Sequence, residues 1–293
     1  MHNKGVLYGV GAYFIWGVFP IYWKWLQQVP ATQILAHRLA WSFVLLVLII
    51  SARREWQPIL SALRRPRTLL VFFVAACLLS TNWLIYIWGV NAGYIVETSL
   101  GYFINPLVSV LLGVIFLREK LRPAQWLPIG LAAAGVAYLA ISYGSLPWIA
   151  LALAFSFGLY GLVKKLSPLG SLRGLTVETG VLFVPTLAFL LVLAGRGAGA
   201  FGSLGLTQDL LMAGAGPVTT IPLLMFGAAA QSIPLSTLGL LQYIAPTCQF
   251  LVGVLIYHEP FTPARLVGFG IIWLALAIFT FEGFLARRNR SRL

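Results

Sequence analysis

The stretch ETSLGYFINPLVSVLLG (97–113) is answered 140 positions later by TLGLLQYIAPTCQFLVG (237–253). The register holds without a gap over 97–142 and 237–282. Pro106 falls on Pro246, Gly113 on Gly253, Glu119 on Glu259, Pro123 on Pro263 and Gly130 on Gly270. Leucines and alanines would coincide by chance in so apolar a chain, but two prolines, two glycines and a glutamate in register would not. Two related halves in a hydrophobic protein are the mark of a transporter built around a pseudo-symmetric central site.

Composition sets the class around that repeat. Of 293 residues, 60% are hydrophobic and 9% charged, with a mean hydropathy of +0.91, whereas soluble proteins carry roughly 25% charged residues. Apolar runs of the length needed to cross a ~30 Å hydrocarbon layer occur at about 5–25, 32–51, 68–89, 95–117, 124–142, 146–164, 174–193, 209–228, 233–257 and 264–284. The seventh and eighth are the least distinct, because 194–208 is Gly-rich and 228–234 is very short. The runs are continuously apolar, so an alternating outer-membrane barrel is excluded. The expected fold is all-α and integral to a membrane: ten transmembrane helices as two inverted five-helix repeats, 1–145 and 146–293, the second ending in a basic tail.

The net charge of +13 is not a nucleic-acid signal, because its positions follow the spans. Arg53, Arg54, Arg64, Arg65 and Arg67 lie between the second and third, Arg118, Lys120 and Arg122 after the fourth, and Lys164, Lys165 and Arg173 between the sixth and seventh. Arg287, Arg288, Arg290 and Arg292 close the chain. All fall on one side if both termini are cytoplasmic, opposite short uncharged loops such as 90–94 and 143–147; this is the positive-inside bias. The tail is suited to anionic lipid. Five spans per half is an odd number, so the copies insert in opposite senses. Accordingly, the loop Arg118-Glu119-Lys120-Leu121-Arg122 has as its counterpart His258-Glu259-Pro260-Phe261-Thr262, where the fixed cations are gone. The N-terminus runs into a first span without a small-residue cleavage site. Cys77 and Cys248 read as buried small hydrophobes.

Material for catalysis is thin. Seven acidic residues lie mostly at span ends, three histidines are scattered, and no hydrolase, zinc or nucleotide-binding motif opens a helix. No enzyme, metal or cofactor is expected.

Polar groups within spans carry more weight, since a central charge costs about 2.5–3.5 kcal/mol to insert. His37 and Arg38 enter the second span, Arg38 roughly 9 Å from its outer end at 1.5 Å per residue, and Lys24 and Glu97 close on the same side. An Arg38–Glu97 ion pair or snorkelling is one reading; a group that handles substrate charge or a proton is the other. Glu178, entering the seventh span from the inner side, either pairs with Lys165 or acts as a protonatable gate. Glu119 and Glu259 each precede a proline by four residues, where a negative charge suits the dipole of the next helix. Pro106 and Pro246 sit mid-span, freeing the carbonyls of Tyr102 and Gln242 and offering hinges, and paired interruptions of this kind point to a transport site. Around them, Trp16, Arg38, Asn82, Trp83, Asn91, Tyr102, Asn105, Gln242 and Tyr243 are the candidate substrate-binding residues of a cavity for a partly apolar organic molecule. Gly5, Gly9 and Gly17, and Ala133 with Ala137, favour close helix packing.

The segments PIYWKWL (20–26), AHRLAW (36–41), TNWLIYIWGVN (81–91), ETSLGYFINPLVSVLLG (97–113), TVETG (176–180) and LLQYIAPT (240–247) resemble the drug/metabolite transporter superfamily with EamA-type repeats, and within it the RarD-like branch. The resemblance spans nearly the whole chain. It implies ten helices, cytoplasmic termini and a central cavity shared by both halves. It also implies export or facilitated movement of small organic metabolites or drugs across a bacterial inner membrane. Some members couple to protons and others do not. Here Glu97 and Glu178 are the candidates for coupling to a proton gradient, yet neither lies near a span centre, which leaves an uncoupled facilitator or channel open. A lipid-modifying enzyme around Lys24, His37 and Glu97, or a non-transporting scaffold, are the rivals from other classes.

Overall fold

The computed structural model describes residues 2–91, 95–142, 148–257 and 263–290. The side chains of Asn91 and Glu97, the loop 143–147 and Glu259 lie outside the described residues. Among those described, every regular element is a helix: α1 (His2–Trp25), α2 (Ala31–Ala52), α3 (Trp56–Leu63), α4 (Pro66–Asn91), α5 (Ile95–Leu117), α6 (Pro123–Ser142), α7 (Trp148–Leu166), α8 (Ser171–Gly195), α9 (Leu206–Ser232), α10 (Leu235–Leu241), α11 (Ile244–Leu255) and α12 (Pro263–Arg290). The protein is an all-helical membrane protein. Eight of these helices, α1, α2 and α4 to α9, are long and apolar enough to span a bilayer. The two least distinct runs in the sequence are the long helices α8 and α9, of 25 and 27 residues. The tenth predicted span is α12, with its apolar stretch at Leu266–Phe279.

The ninth predicted span is broken into α10 and α11. Pro246 has no N–H to give to the Gln242 carbonyl, which accepts instead from Ala245 N at 3.1 Å, while Tyr243 N turns to Leu240 O at 3.3 Å. These tighter bonds replace the α-helical ladder around Gln242 and Tyr243. Its repeat counterpart, α5, carries Pro106 without interruption. A short amphipathic helix, α3, occupies the basic segment that reads as a loop in the sequence.

Side chains on the outer surface are apolar, as a lipid-facing wall requires: Leu48, Phe73, Ile115, Val184 and Leu210 are all exposed. Cys77 is exposed on the same surface, and Cys248 is half-buried, so neither is the buried hydrophobe that the sequence implies. The packing pairs are α5 with α7 and α10, α1 with α9 and α11, α4 with α7 and α8, α2 with α8 and α9, and α6 with α12. Replacing each span by the one five further on exchanges these pairs among themselves: α5–α7 becomes α11–α1, and α1–α9 becomes α7–α4. Two mixed bundles result. One joins α1 and α2 to α9; the other joins α7 and α8 to α4. Where α10 crosses α5, a Cβ on Gly239 would lie 2.8 Å from Pro106 O and 2.7 Å from Ser109 Cβ, so only glycine allows that approach. At Gly9 of α1 the approach is looser: a Cβ there would meet Leu241 Cδ1 at 3.1 Å and Leu238 Cδ1 at 3.5 Å, side-chain ends that can shift. On α6, however, Ala133 and Ala137 face outward, and Ala132, Gly135 and Val136 form the packed face.

The basic end of the bundle is laced together. Arg173 pairs with Glu55 at 2.9 Å and Arg122 with Glu282 at 2.8 Å. Glu119 does not serve α6, as its spacing from Pro123 implies. Its carboxylate accepts from Leu235 N at 2.6 Å and from Ser236 N at 2.9 Å and Ser236 Oγ at 2.7 Å, capping α10. The chain turn after Leu117, where Glu119 N donates to Gly113 O, folds the carboxylate back onto that helix start. Lys165 closes the same turn from the other side, donating to Ile233 O at 2.6 Å and Ala230 O at 3.2 Å at the end of α9.

Candidate functional site

A cavity of about 130 Å³ lies between the two mixed bundles. From α1 it takes Tyr13, Trp16, Phe19 and Trp23; from α2, Arg38; from α4, Asn82, Trp83 and Tyr86. Tyr102 of α5, Phe157 of α7, and Thr219 and Leu223 of α9 complete the walls with Gln242, Ala245 and Pro246 at the α10–α11 break. An apolar cavity of about 150 Å³ holds benzene, so this space matches one aromatic ring.

One end of the cavity is aromatic. Trp16 meets Tyr13 at 5.6 Å, Phe157 at 5.8 Å and Phe226 at 5.7 Å between ring centres, and Phe226 stacks on Tyr160 at 5.9 Å. Beneath this layer sits a closed ion pair. Lys164 Nζ lies 2.9 Å from Glu178 Oε1, Tyr160 donates to Glu178 Oε2 at 3.1 Å, and all three side chains are fully buried. The partner of Glu178 is therefore Lys164 and not Lys165. Helix geometry explains the exchange, since adjacent residues point about 100° apart, which turns Lys165 toward the end of α9.

The other end is polar. The Arg38 guanidinium lies 4.7 Å from the Trp23 ring centre and 4.8 Å from that of Trp83, and Nε donates to Thr219 Oγ1 at 3.0 Å. Tyr86 and Tyr102 meet edge to face at 5.8 Å. Asn82 is held by Nδ2 bonds to Leu153 O at 2.9 Å and Ser156 Oγ at 3.0 Å, which fixes α4 to α7 and sets the amide at the cavity wall.

Of the residues singled out in the sequence, Trp16, Arg38, Asn82, Trp83, Tyr102 and Gln242 line this cavity, as does Pro246. Asn105 is buried away from it, its Oδ1 without a hydrogen-bond partner among the described residues. Tyr243 is turned into the α5 interface, donating to Phe103 O at 3.2 Å; Phe103 is its own repeat equivalent, so the contact marks the pseudo-axis. The grouping of Lys24, His37 and Arg38 does not form. Lys24 lies over Tyr257 at 5.2 Å, His37 stacks on Phe201 at 5.2 Å, and only Arg38 turns inward. The sequence reading missed Tyr13, Phe19 and Trp23, although with Trp16 they recur at three- and four-residue steps along one face of α1. Phe157 and Thr219 carry no such signal.

Comparison with known proteins completes the assignment. Residues 3–141 match the model of the EamA-like transporter family. The chain is 50% identical to the protein RarD of Streptomyces exfoliatus, over 99% of this chain and 93% of that one. It is 48% identical to the uncharacterized transporter YojE of Bacillus subtilis (strain 168), over 96% and 94% of the two chains. The chain belongs to the EamA-type transporters, in their RarD-like branch. A crystal structure 19% identical to this EamA-type chain superposes with a TM-score of 0.72 over 98% of this chain and 99% of the other, which shows that the fold is shared.

Proposed function

We propose that this membrane transporter is a secondary carrier that exports a small aromatic or amphipathic organic solute across the bacterial inner membrane by alternating access. The observation that carries this is the central cavity, whose walls come from both halves of the chain and whose aromatic end closes it toward the basic side. The exchange of packing pairs under a five-span shift supports division into two inverted repeats, 1–145 and 146–293, and the family match over 3–141 covers nearly the first of them. With the basic end and both termini in the cytoplasm, the latches at Glu119 and Lys165 lie on the inner side. The moving bodies are the mixed bundles, and the α10–α11 break beside Pro246 gives α11, packed on α1 of the first bundle, a joint; Pro106 would flex in the other phase of the cycle.

Reconstituted protein should show saturable, protein-dependent counterflow of aromatic solutes chosen by their thermal stabilisation of the purified protein. Flux that rises linearly with concentration and shows no counterflow would mean a channel. Absence of any protein-dependent flux would overturn the carrier reading.

Uncoupled facilitation is favoured by one observation: Glu178 is sealed with Lys164 beneath the aromatic layer and does not touch the cavity. The paired variant Lys164→Met with Glu178→Leu, which leaves no lone buried charge, and Glu97→Gln should then leave solute counterflow and its pH dependence unchanged; loss of pH-driven flux with exchange retained would instead establish proton coupling.

A further inference from the structure

We propose that the cavity selects a small aromatic anion, a carboxylate or sulfonate, and that Arg38 is the residue that binds its charged group. This deepens the carrier reading and rests on it. A guanidinium has five N–H donors. Among the described residues, Arg38 has a single acceptor, Thr219 Oγ1 for its Nε, and no carboxylate within ion-pair distance. The rings of Trp23 and Trp83 lie against the guanidinium, a contact that holds it in place without neutralising it. Such a charge within a membrane span is expensive, and it is normally kept only where a partner or a water-filled site stabilises it. A planar fork with its remaining N–H groups at the wall of a ring-sized cavity fits the two oxygens of a carboxylate side by side.

The rest of the wall has the matching asymmetry. Tyr86, Tyr102 and Gln242 add two hydroxyl groups and a side-chain amide to the lining of the same cavity. At the far end, Trp16 and Phe157 offer ring faces and edges. A solute with a charged head at Arg38 and a ring against Trp16 would use both ends. A cationic solute would meet the fixed charge of Arg38 across a short, poorly screened distance, so the same residue rejects it.

The test uses three one-ring probes that differ in charge: benzoate, benzamide and benzylamine. Their binding to the purified full-length protein is read by thermal shift and by tryptophan fluorescence. Benzoate should stabilise the protein and quench the fluorescence, benzamide should bind at least roughly 30-fold more weakly, the loss expected when one partner of a buried charge pair is removed, and benzylamine should not compete. Arg38→Gln should abolish the preference for benzoate, and Arg38→Lys should keep part of it. Should Arg38→Gln fail to fold, the probe series on the wild-type protein still decides the charge preference. Flux in liposomes is measured with benzenesulfonate, which has no neutral form that leaks through lipid. Binding that is equal for the three probes, or strongest for benzylamine, would overturn the anion site. Saturable benzamide flux without benzenesulfonate flux would do so while leaving the carrier standing. No protein-dependent flux of any probe by folded protein would sink both.

Discussion

Residues 37 and 38 show how much a single helical step decides. Both are basic, adjacent and near one end of α2, yet His37 stacks on the connector at Phe201 while Arg38 faces the cavity. The sequence identifies both as expensive in a membrane, but their separation depends on which neighbours pack against each side of α2. The same step divides Lys164 from Lys165. Lys164, Glu178 and Tyr160 are fully buried, and losing one partner of a buried pair leaves an uncompensated charge, at about 3–5 kcal/mol. Lys164→Met and Glu178→Leu should therefore each lower thermal stability strongly, and the double variant should recover much of that loss. Tyr160→Phe should have a smaller effect of about 1.5–3 kcal/mol, the range for a hydrogen bond to a charged group. Unfolding midpoints in detergent provide the check. Additive single-variant losses in the double variant would mean that the pair contributes nothing as a pair.

Helices are where the sequence is most legible, and where prolines and glycines set its limits. Long apolar runs give eight spans directly, because length and hydropathy alone determine whether a segment can cross a bilayer. The α10–α11 break follows from Pro246, but Pro106 in the equivalent place leaves α5 whole, so local chemistry permits a break without compelling one. The partner of Glu119 was not legible, because the residues it caps are 116 and 117 positions away. Glu119→Ala should remove an N-cap and a charge-assisted contact to Ser236 Oγ, and destabilise the start of α10 by about 1–2 kcal/mol. Hydrogen exchange should show the Leu235 and Ser236 amides opening faster, with α12 amides unchanged. Gly239→Val should separate α10 from α5, at about 1–3 kcal/mol or more of overpacking; a neutral effect in thermal unfolding would mean that the crossing relaxes at little cost.

At the scale of the molecule, the repeat discloses symmetry but not its partition into moving parts. An offset of 140 gives two halves in sequence. The packing then divides the spans differently, into α1–α2–α9 and α4–α7–α8, with the cavity between them. That exchange is invisible in the sequence, because it depends on contacts between halves that no local pattern encodes. Six of the nine candidate binding residues nevertheless line the cavity, because polar and aromatic groups near interrupted helices have few other reasons to be there. If the bundles rock, the aromatic layer and the Lys165 bonds that tie α7 to the end of α9 must separate whenever the site opens toward the basic end. Cysteines placed at Lys165 of α7 and Gln231 of α9, whose side chain reaches Lys164 O, with Cys77 and Cys248 replaced by serine, bring this to a direct test with a short thiol-specific crosslinker. Crosslinking should stop counterflow by at least tenfold and leave probe binding at the cavity intact, and cleavage of the linker should restore flux. Undiminished flux in the crosslinked protein would mean that solute passes without opening this end, and alternation between the two bundles would have to be abandoned.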